Sequence, residues 1–238
     1  MQRVLDIALG EVGYREKKSA KDLYSKTENS GYGNYTKYAK EMSAYSPGIY
    51  ANGYAWCDTF VDWCMTKAYG KDGALKLIYS WSAYTPTSSS YYKHSGRWHT
   101  DAQKGDQIFF KDSRGVICHT GLVYDTDEKY VYTVEGNTSD CDGLVANGGC
   151  VAKKRYLKTS KSIAGYGRPD YCLVSKKDEK KEKKMYISLS DCPLWAQPYI
   201  KTAIDRGFVK GDTDGSLNLD DDRIWCLVVM MRIAGIMK

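Results

Sequence analysis

The change of hydrophobic period near Gly105 constrains this chain more than any other feature. Before it, apolar residues recur at helical spacing. Val4, Leu5, Ala8, Leu9 and Val12 share one face of a first segment, and Phe60, Val61 and Cys64 follow the Trp56-Cys57 pair in another. A shorter helix fits residues 35–43, and Gly70 is placed to end the helix that begins near Cys57. After Gly105 the pattern becomes short, alternating and rich in aromatic and β-branched residues. Residues 106–110, 116–124, 130–134, 151–157 and 163–168 read as successive strands, with a turn at Asp112-Ser113-Arg114-Gly115 and another at Asp125-Thr126-Asp127-Glu128. Helices first and strands second predict an α+β domain in which N-terminal helices pack on an antiparallel sheet. Between the halves, Trp81, Tyr84, Tyr91, Tyr92 and Trp98 lie among Ser, Thr and Pro, as a ring-lined groove or a packed tyrosine-rich loop.

At 238 residues there is room for one substantial domain and a small one. Residues 175–184 hold six Lys against three acids, a composition that stays solvated and reads as a linker. The expected division is therefore 1–174, a charged linker at 175–185, and 186–238. The last segment carries Leu194-Trp195-Ala196, Ile200 and Ala203-Ile204 at helical spacing, an Asp212-Thr213-Asp214-Gly215 turn, and a second helix over 221–233. It is thus expected to be a small all-helical module.

The net charge of +6 is unevenly placed, and the part carried by the first 174 residues is too mild for a nucleic-acid face, but it suits attraction to an anionic surface. No apolar run reaches the roughly 18 residues that cross a membrane, and the first thirteen residues read as an amphipathic helix rather than an export leader. Synthesis in a reducing cytoplasm then predicts that the eight cysteines are free thiols. Their spacing contains no CxxC pair and predicts no zinc site.

Cys57 stands at a helix N-terminus, where the dipole and the unpaired N–H groups of the first turn favour a thiolate. A cysteine nucleophile also needs an imidazole that takes and returns a proton, and a polar group that orients it. Of three histidines, His119 lies within a strand, whereas His94 and His99 lie in polar stretches. Glu135 closes the next strand, so an antiparallel meander brings its carboxylate beside His119.

The segments Trp56-Cys57-Asp58-Thr59-Phe60, Gly105-Asp106-Gln107-Ile108-Phe109-Phe110, His119-Thr120-Gly121-Leu122-Val123 and Glu135-Gly136-Asn137 resemble, in order and spacing, the CHAP domain. This papain-like domain of cysteine, histidine-dependent amidohydrolases and peptidases occurs in peptidoglycan hydrolases. The resemblance covers roughly residues 1–172. It implies Cys57 as nucleophile, His119 as base and then acid, Glu135 as the group fixing the imidazole, and Asn137 as an aid to the imidazole or the substrate. Trp56, Asp58 and Trp81 are expected in the substrate groove. Some CHAP domains bind calcium through an Asp-rich loop before the cysteine; here only Asp6 and Asp22 precede it, so neither metal nor cofactor is expected.

Residues 186–238 are similar to a single S-layer homology motif, a bacterial wall-anchoring module, with an Ile-Trp pair after Arg223 where that family has small and acidic residues. The resemblance implies wall binding through Trp195, Asp212, Asp214 and Trp225. Such motifs usually pack in threes, which implies a homo-oligomer through Trp225, Val228, Val229, Met230 and Met231. Separately translated fragments starting at Met185 are one source of further copies. The combined expectation is a phage endolysin that waits in the host bacterial cytoplasm until release and then cleaves an amide in Gram-positive peptidoglycan. N-acetylmuramoyl-L-alanine amidase activity is favoured. The alternatives are an endopeptidase, a bacterial autolysin, or a wall-binding protein with an inert thiol. Expected partners are peptidoglycan and anionic wall polymers, with no nucleic acid and no membrane.

Overall fold

The computed structural model describes residues 1–140, 144, 147–175 and 184–237. The chain forms two compact units, residues 1–176 and 177–238. The charged stretch read as a linker lies almost wholly outside the described residues, as does Cys141; Cys57, Cys64, Cys118, Cys150, Cys192 and Cys226 are free thiols.

In the first unit, strands β1 (Trp98–His99), β2 (Gln107–Lys111), β3 (Ile117–Thr126), β4 (Tyr130–Thr138), β5 (Cys150–Leu157) and β6 (Ile163–Gly167) form one sheet in the order β1-β6-β2-β3-β4-β5. Every neighbouring pair is antiparallel. β2 lies in the interior of the sheet and is covered on both faces, which explains its unbroken apolar run. Ile108 and Phe110 pack with Val123, Val131, Tyr156 and Tyr166. Phe109 meets the rings of Tyr92 and Trp98 at 5.9 and 5.4 Å.

The helices are α1 (Gln2–Gly10), α2 (Lys37–Ser43), α3 (Cys57–Ile78), α4 (Thr85–His94) and the short α5 (Cys172–Ser175). α1 buries Val4, Leu5 and Ala8, and α2 starts where the Thr36 hydroxyl accepts the Ala39 N–H at 3.1 Å. α3 is the spine: Phe60, Val61, Cys64, Met65 and Ala68 share one core with α1, α2 and the sheet residues Leu122 and Val134. Each large apolar side chain so buried contributes about 1.5–3 kcal/mol.

Three expectations need correction. Gly70 does not end α3; it kinks it, with φ 69° and ψ 177°, and the helix resumes because Ala74, Leu77 and Ile78 return to the same core. Residues 74–104 are more regular than either reading allowed, since α4 runs through their Ser/Thr-rich centre. Pro86 sits in its first turn, and Ser88, Ser89 and Tyr92 face inward, so tertiary burial outweighs a weak helical pattern. β4 does not stop at Glu135 but continues to Thr138, past a bulge.

The second unit contains a 3-10 turn (Leu189–Asp191), α6 (Gln197–Asp205) and α7 (Asp221–Ile233), with an isolated bridge between Tyr186 and Leu219. Its core joins Tyr186, Ala196, Ile200, Ala203, Ile224, Leu227, Val228 and Met231. Val228 and Met231 are therefore occupied within the unit, whereas Trp225, Val229, Met230 and Ile233 are exposed on α7. The Asp212–Ser216 segment closes as a turn: Asp214 accepts the Ser216 N–H at 2.9 Å, Asp212 accepts from Asn218, and Gly215 adopts φ 82°. Among the described residues, no helix is long and apolar enough to cross a membrane.

Candidate active site

Cys57 is the first residue of α3. Trp56, its N-cap, provides no side-chain cap, so the first-turn N–H groups remain without an intrahelical or capping acceptor. These are the donors that stabilise an anionic sulfur or an oxyanion.

His119 stands on β3 and is wholly buried. Its Nε2–H donates to Glu135 Oε2 at 2.9 Å. Thr133 donates to Glu135 Oε1 at 2.5 Å and the Tyr156 hydroxyl donates to Oε2 at 3.3 Å, so three donors converge on one buried carboxylate. The imidazole leans on the Phe110 ring, 5.8 Å between centroids. With Nε2 engaged, Nδ1 has no other hydrogen-bond partner of standard geometry and is the nitrogen left for the Cys57 thiol. Burial pushes the His119 pKa down, but the hydrogen bonds and charges of Cys57 and Glu135 outweigh it and lift the value to about 10. The ring is thus held as an imidazolium beside the sulfur at neutral pH.

A glycine makes this geometry possible. A Cβ at Gly121 would lie 2.5 Å from the Glu135 Cγ, so only the absent side chain lets the carboxylate lie across β3 toward His119. Gly136, next along β4, leaves room for Phe60 and Trp56 in the same manner. Gly121 was visible in the sequence as a glycine inside a strand two residues after the histidine, a pattern that often marks close backbone approach.

Asn137 follows on β4 in the left-handed region, φ 55°, and is buried. Its amide oxygen and nitrogen make no hydrogen bond among the described residues, and so none to the imidazole.

Two of the expected groove residues are not in a groove. Trp56 is 1% exposed; its indole N–H donates to Glu16 Oε2 at 2.8 Å and its ring packs among Tyr14, Tyr38 and Phe60. Asp58 is 0% exposed on the core side of α3. Ser88 donates to its Oδ2 at 2.5 Å and Gln107 to its Oδ1 at 3.0 Å, and Gln107 continues to Thr120, the neighbour of His119, at 3.1 Å. Desolvation raises the Asp58 pKa to about 7 against these hydrogen bonds and the His119 charge. One turn on, Asp62 accepts from the Tyr50 hydroxyl; burial and the Asp58 charge keep its carboxyl well above the usual range. The network pins α3 to α4, β2 and β3. Its members Ser88, Gln107 and Thr120 carried no distinguishing sequence signal.

Trp81 does line a groove of about 500 Å³, with Ile49, Tyr54, Thr59, Ser82 and Tyr84. Ala55 and Thr59, either side of the nucleophile, form part of its wall, and none of its lining side chains is an acid, lysine or arginine. Among the described residues, no group of three or more His, Cys, Asp or Glu side chains is arranged to hold a metal ion.

In the second unit, Trp195 and Trp225 are exposed with ring centroids 6.2 Å apart, whereas Asp212 and Asp214 are engaged in the turn.

No curated protein matches the sequence. One solved structure, described as "The crystal structure of Ly7917", aligns with 12% identity and a TM-score of 0.40; the alignment covers 71% of this chain and 61% of that one. The chain thus spans less than two thirds of that protein's length. A family model, the CHAP domain, matches residues 49–137, an interval that contains Cys57, His119, Glu135 and Asn137. Residues 49–137 therefore match the CHAP domain, a family of cysteine- and histidine-dependent amidohydrolases or peptidases.

Proposed function

We propose that Cys57, His119 and Glu135 cleave an amide of the bacterial cell wall, with N-acetylmuramoyl-L-alanine amidase activity favoured over endopeptidase activity. The observation that carries this reading is the buried imidazole of His119, clamped through Nε2 by Glu135 and turned toward the thiol at the start of α3. The Cys57 thiolate attacks the amide carbon, and first-turn N–H groups receive the developing oxyanion, a stabilisation worth about 10²–10³-fold per donor. His119 gives its proton to the leaving nitrogen, leaving a thioester on Cys57. Water, losing a proton to His119, then attacks the thioester and releases the carboxylic acid, leaving Cys57 as the thiolate and His119 as the imidazolium. The neutral, aromatic groove beside Cys57 supports the amidase preference. Tyr54, Trp81 and Tyr84 offer ring faces for an N-acetylated sugar and no ionic partner for peptide carboxylates.

The endolysin role, with storage in the host cytoplasm before release, is part of the same proposal and rests on the sequence resemblance. The exposed Trp195–Trp225 pair supports wall-polymer binding by the second unit. The second apolar side of α7 supports its self-association, with fragments starting at Met185 as added copies.

The test is a cell-wall digest with the wild-type chain and with Cys57→Ala. The expected result is turbidity loss with the wild type alone and, by mass spectrometry, free lactyl carboxylates on the glycan. New stem or cross-bridge termini without lactyl carboxylates would assign the endopeptidase reaction instead. Unchanged clearing by Cys57→Ala would remove the thiol mechanism altogether.

A further inference from the structure

A second, smaller pocket of about 200 Å³ is lined by Arg15, Glu16, Ser30, Gly31, Tyr32, Gly148 and Gly149. It adjoins the catalytic machinery on two sides. Gly148 N–H donates to the Asn137 carbonyl at 2.9 Å, and the Glu16 side chain holds the indole of Trp56, the residue before the nucleophile.

Glu16 is 3% exposed. One carboxylate oxygen, Oε2, is used by Trp56; the other, Oε1, accepts no hydrogen bond among the described residues and faces the pocket. Gly149, with φ 79°, lets the backbone close over this carboxylate, since a Cβ there would stand 3.2 Å from the Glu16 Cδ. Arg15, the one cationic side chain of the lining, is half exposed at the rim and pairs with Asp140 at 3.9 Å. Among the described residues of the lining, Glu16 is the one acid, and the Trp56 indole fixes the direction of its carboxylate.

A carboxylate held this way with a free oxygen selects a hydrogen-bond donor of positive charge. We infer that this pocket binds a primary ammonium group of the substrate. The inference rests on the cell-wall hydrolase reading, in which the ammonium is either the side-chain amine of a diamino acid in the peptide stem or the free amino terminus of a peptide. Glu16 is then a specificity residue: it fixes which strand of the wall is presented to Cys57 and takes no part in the bond-breaking steps.

The test uses the full chain carrying Cys57→Ala, titrated by NMR with Nα-acetyl-lysine amide, its Nε-acetylated form, and glycinamide. The expected result is saturable binding of at least one free amine, reported by a shift of the Trp56 indole N–H resonance, and none by the acetylated form. Binding by lysine amide alone identifies a side-chain amine, and binding by glycinamide alone an amino terminus. Adding Glu16→Gln, which keeps an acceptor for the indole, is expected to weaken binding by about 10- to 100-fold, the loss of one charge-assisted hydrogen bond. In the active enzyme, Glu16→Gln is expected to raise KM by a similar factor on walls with free amines, with kcat within about twofold and no change on chemically acetylated walls. Equal binding of the free and acetylated amides, or no binding of either free amine, overturns the site. If the wild type fails to hydrolyse walls, the enzymatic reading falls, while the titration still decides whether the ammonium site exists.

Discussion

Replacing Glu135 by Gln isolates what its carboxylate, beside Cys57, contributes to holding His119 protonated. The amide is nearly isosteric: its oxygen accepts from His119 Nε2, and its NH₂ group donates to the Thr133 hydroxyl, which rotates to accept. The lost quantity is one charge-assisted hydrogen bond inside a fully buried pair, about 1.5–3 kcal/mol, or 1–2 pKa units at 1.36 kcal/mol each. The His119 pKa, about 10 in the wild type, should fall to roughly 8–9. Its sign follows from linkage. A histidine whose folded pKa is raised contributes stability that is complete below about 6.5 and lost as pH rises through its folded pKa. The wild type should therefore lose this contribution up to about pH 10, and Glu135→Gln should complete the loss 1–2 units earlier. Activity follows the same ionisation. The basic limb of kcat/KM should move down by 1–2 units and the plateau fall about 10- to 100-fold. The assays are a pH series of wall hydrolysis and an NMR titration of the His119 ring. An unmoved basic limb with kcat/KM within twofold of wild type would refute the assignment of Glu135.

Gly121→Ala should displace the Glu135 carboxylate, because the added Cβ meets its Cγ at 2.5 Å; kcat should fall more than tenfold at nearly constant KM, with an overpacking cost of about 1–3 kcal/mol in melting experiments. Asp58→Asn keeps acceptors and donors for Gln107 and Ser88 but removes a carboxyl whose pKa is raised to about 7. A raised carboxyl gives stability below its unfolded value and loses it through its folded one, so the variant should gain on the wild type between about pH 4 and 8, by up to a few kcal/mol, in denaturant titrations. Paired Trp195→Ala and Trp225→Ala should abolish sedimentation with cell walls while leaving hydrolysis of soluble wall fragments unchanged; retained sedimentation would show that the aromatic pair is not the wall contact.

The elements that read clearly are those whose pattern is local. The helix beginning at Cys57 and the core strands showed their periods directly, because one buried face per element imposes a period of 3.6 or 2. α4 was not legible for the converse reason: its Thr-Pro-Thr-Ser-Ser-Ser segment has little apolar periodicity, and Tyr92 stacking on Phe109 and Ser88 binding Asp58 supply what holds it. Trp56 and Asp58 flank the nucleophile in sequence and were placed beside it in space. They instead turn inward, toward Glu16 on one side and Gln107 on the other.

The sequence by itself determined the division into N-terminal helices and later strands, the choice of His119 over the two other histidines, and the position of Cys57 at a helix start, since each depends on residues near in the chain. Only the tertiary structure decided that the Glu135 side chain reaches His119 through the space a side chain at Gly121 would fill. It also decided that Asp58 is a buried brace rather than a groove wall, and that Glu16 turns one carboxylate oxygen toward a second pocket. The physical reason is the same in each case. A side chain's local spacing says which way it can point, but the free energy of a carboxylate is set by which donors surround it and whether water reaches it, and those neighbours come from strands and helices far away in sequence.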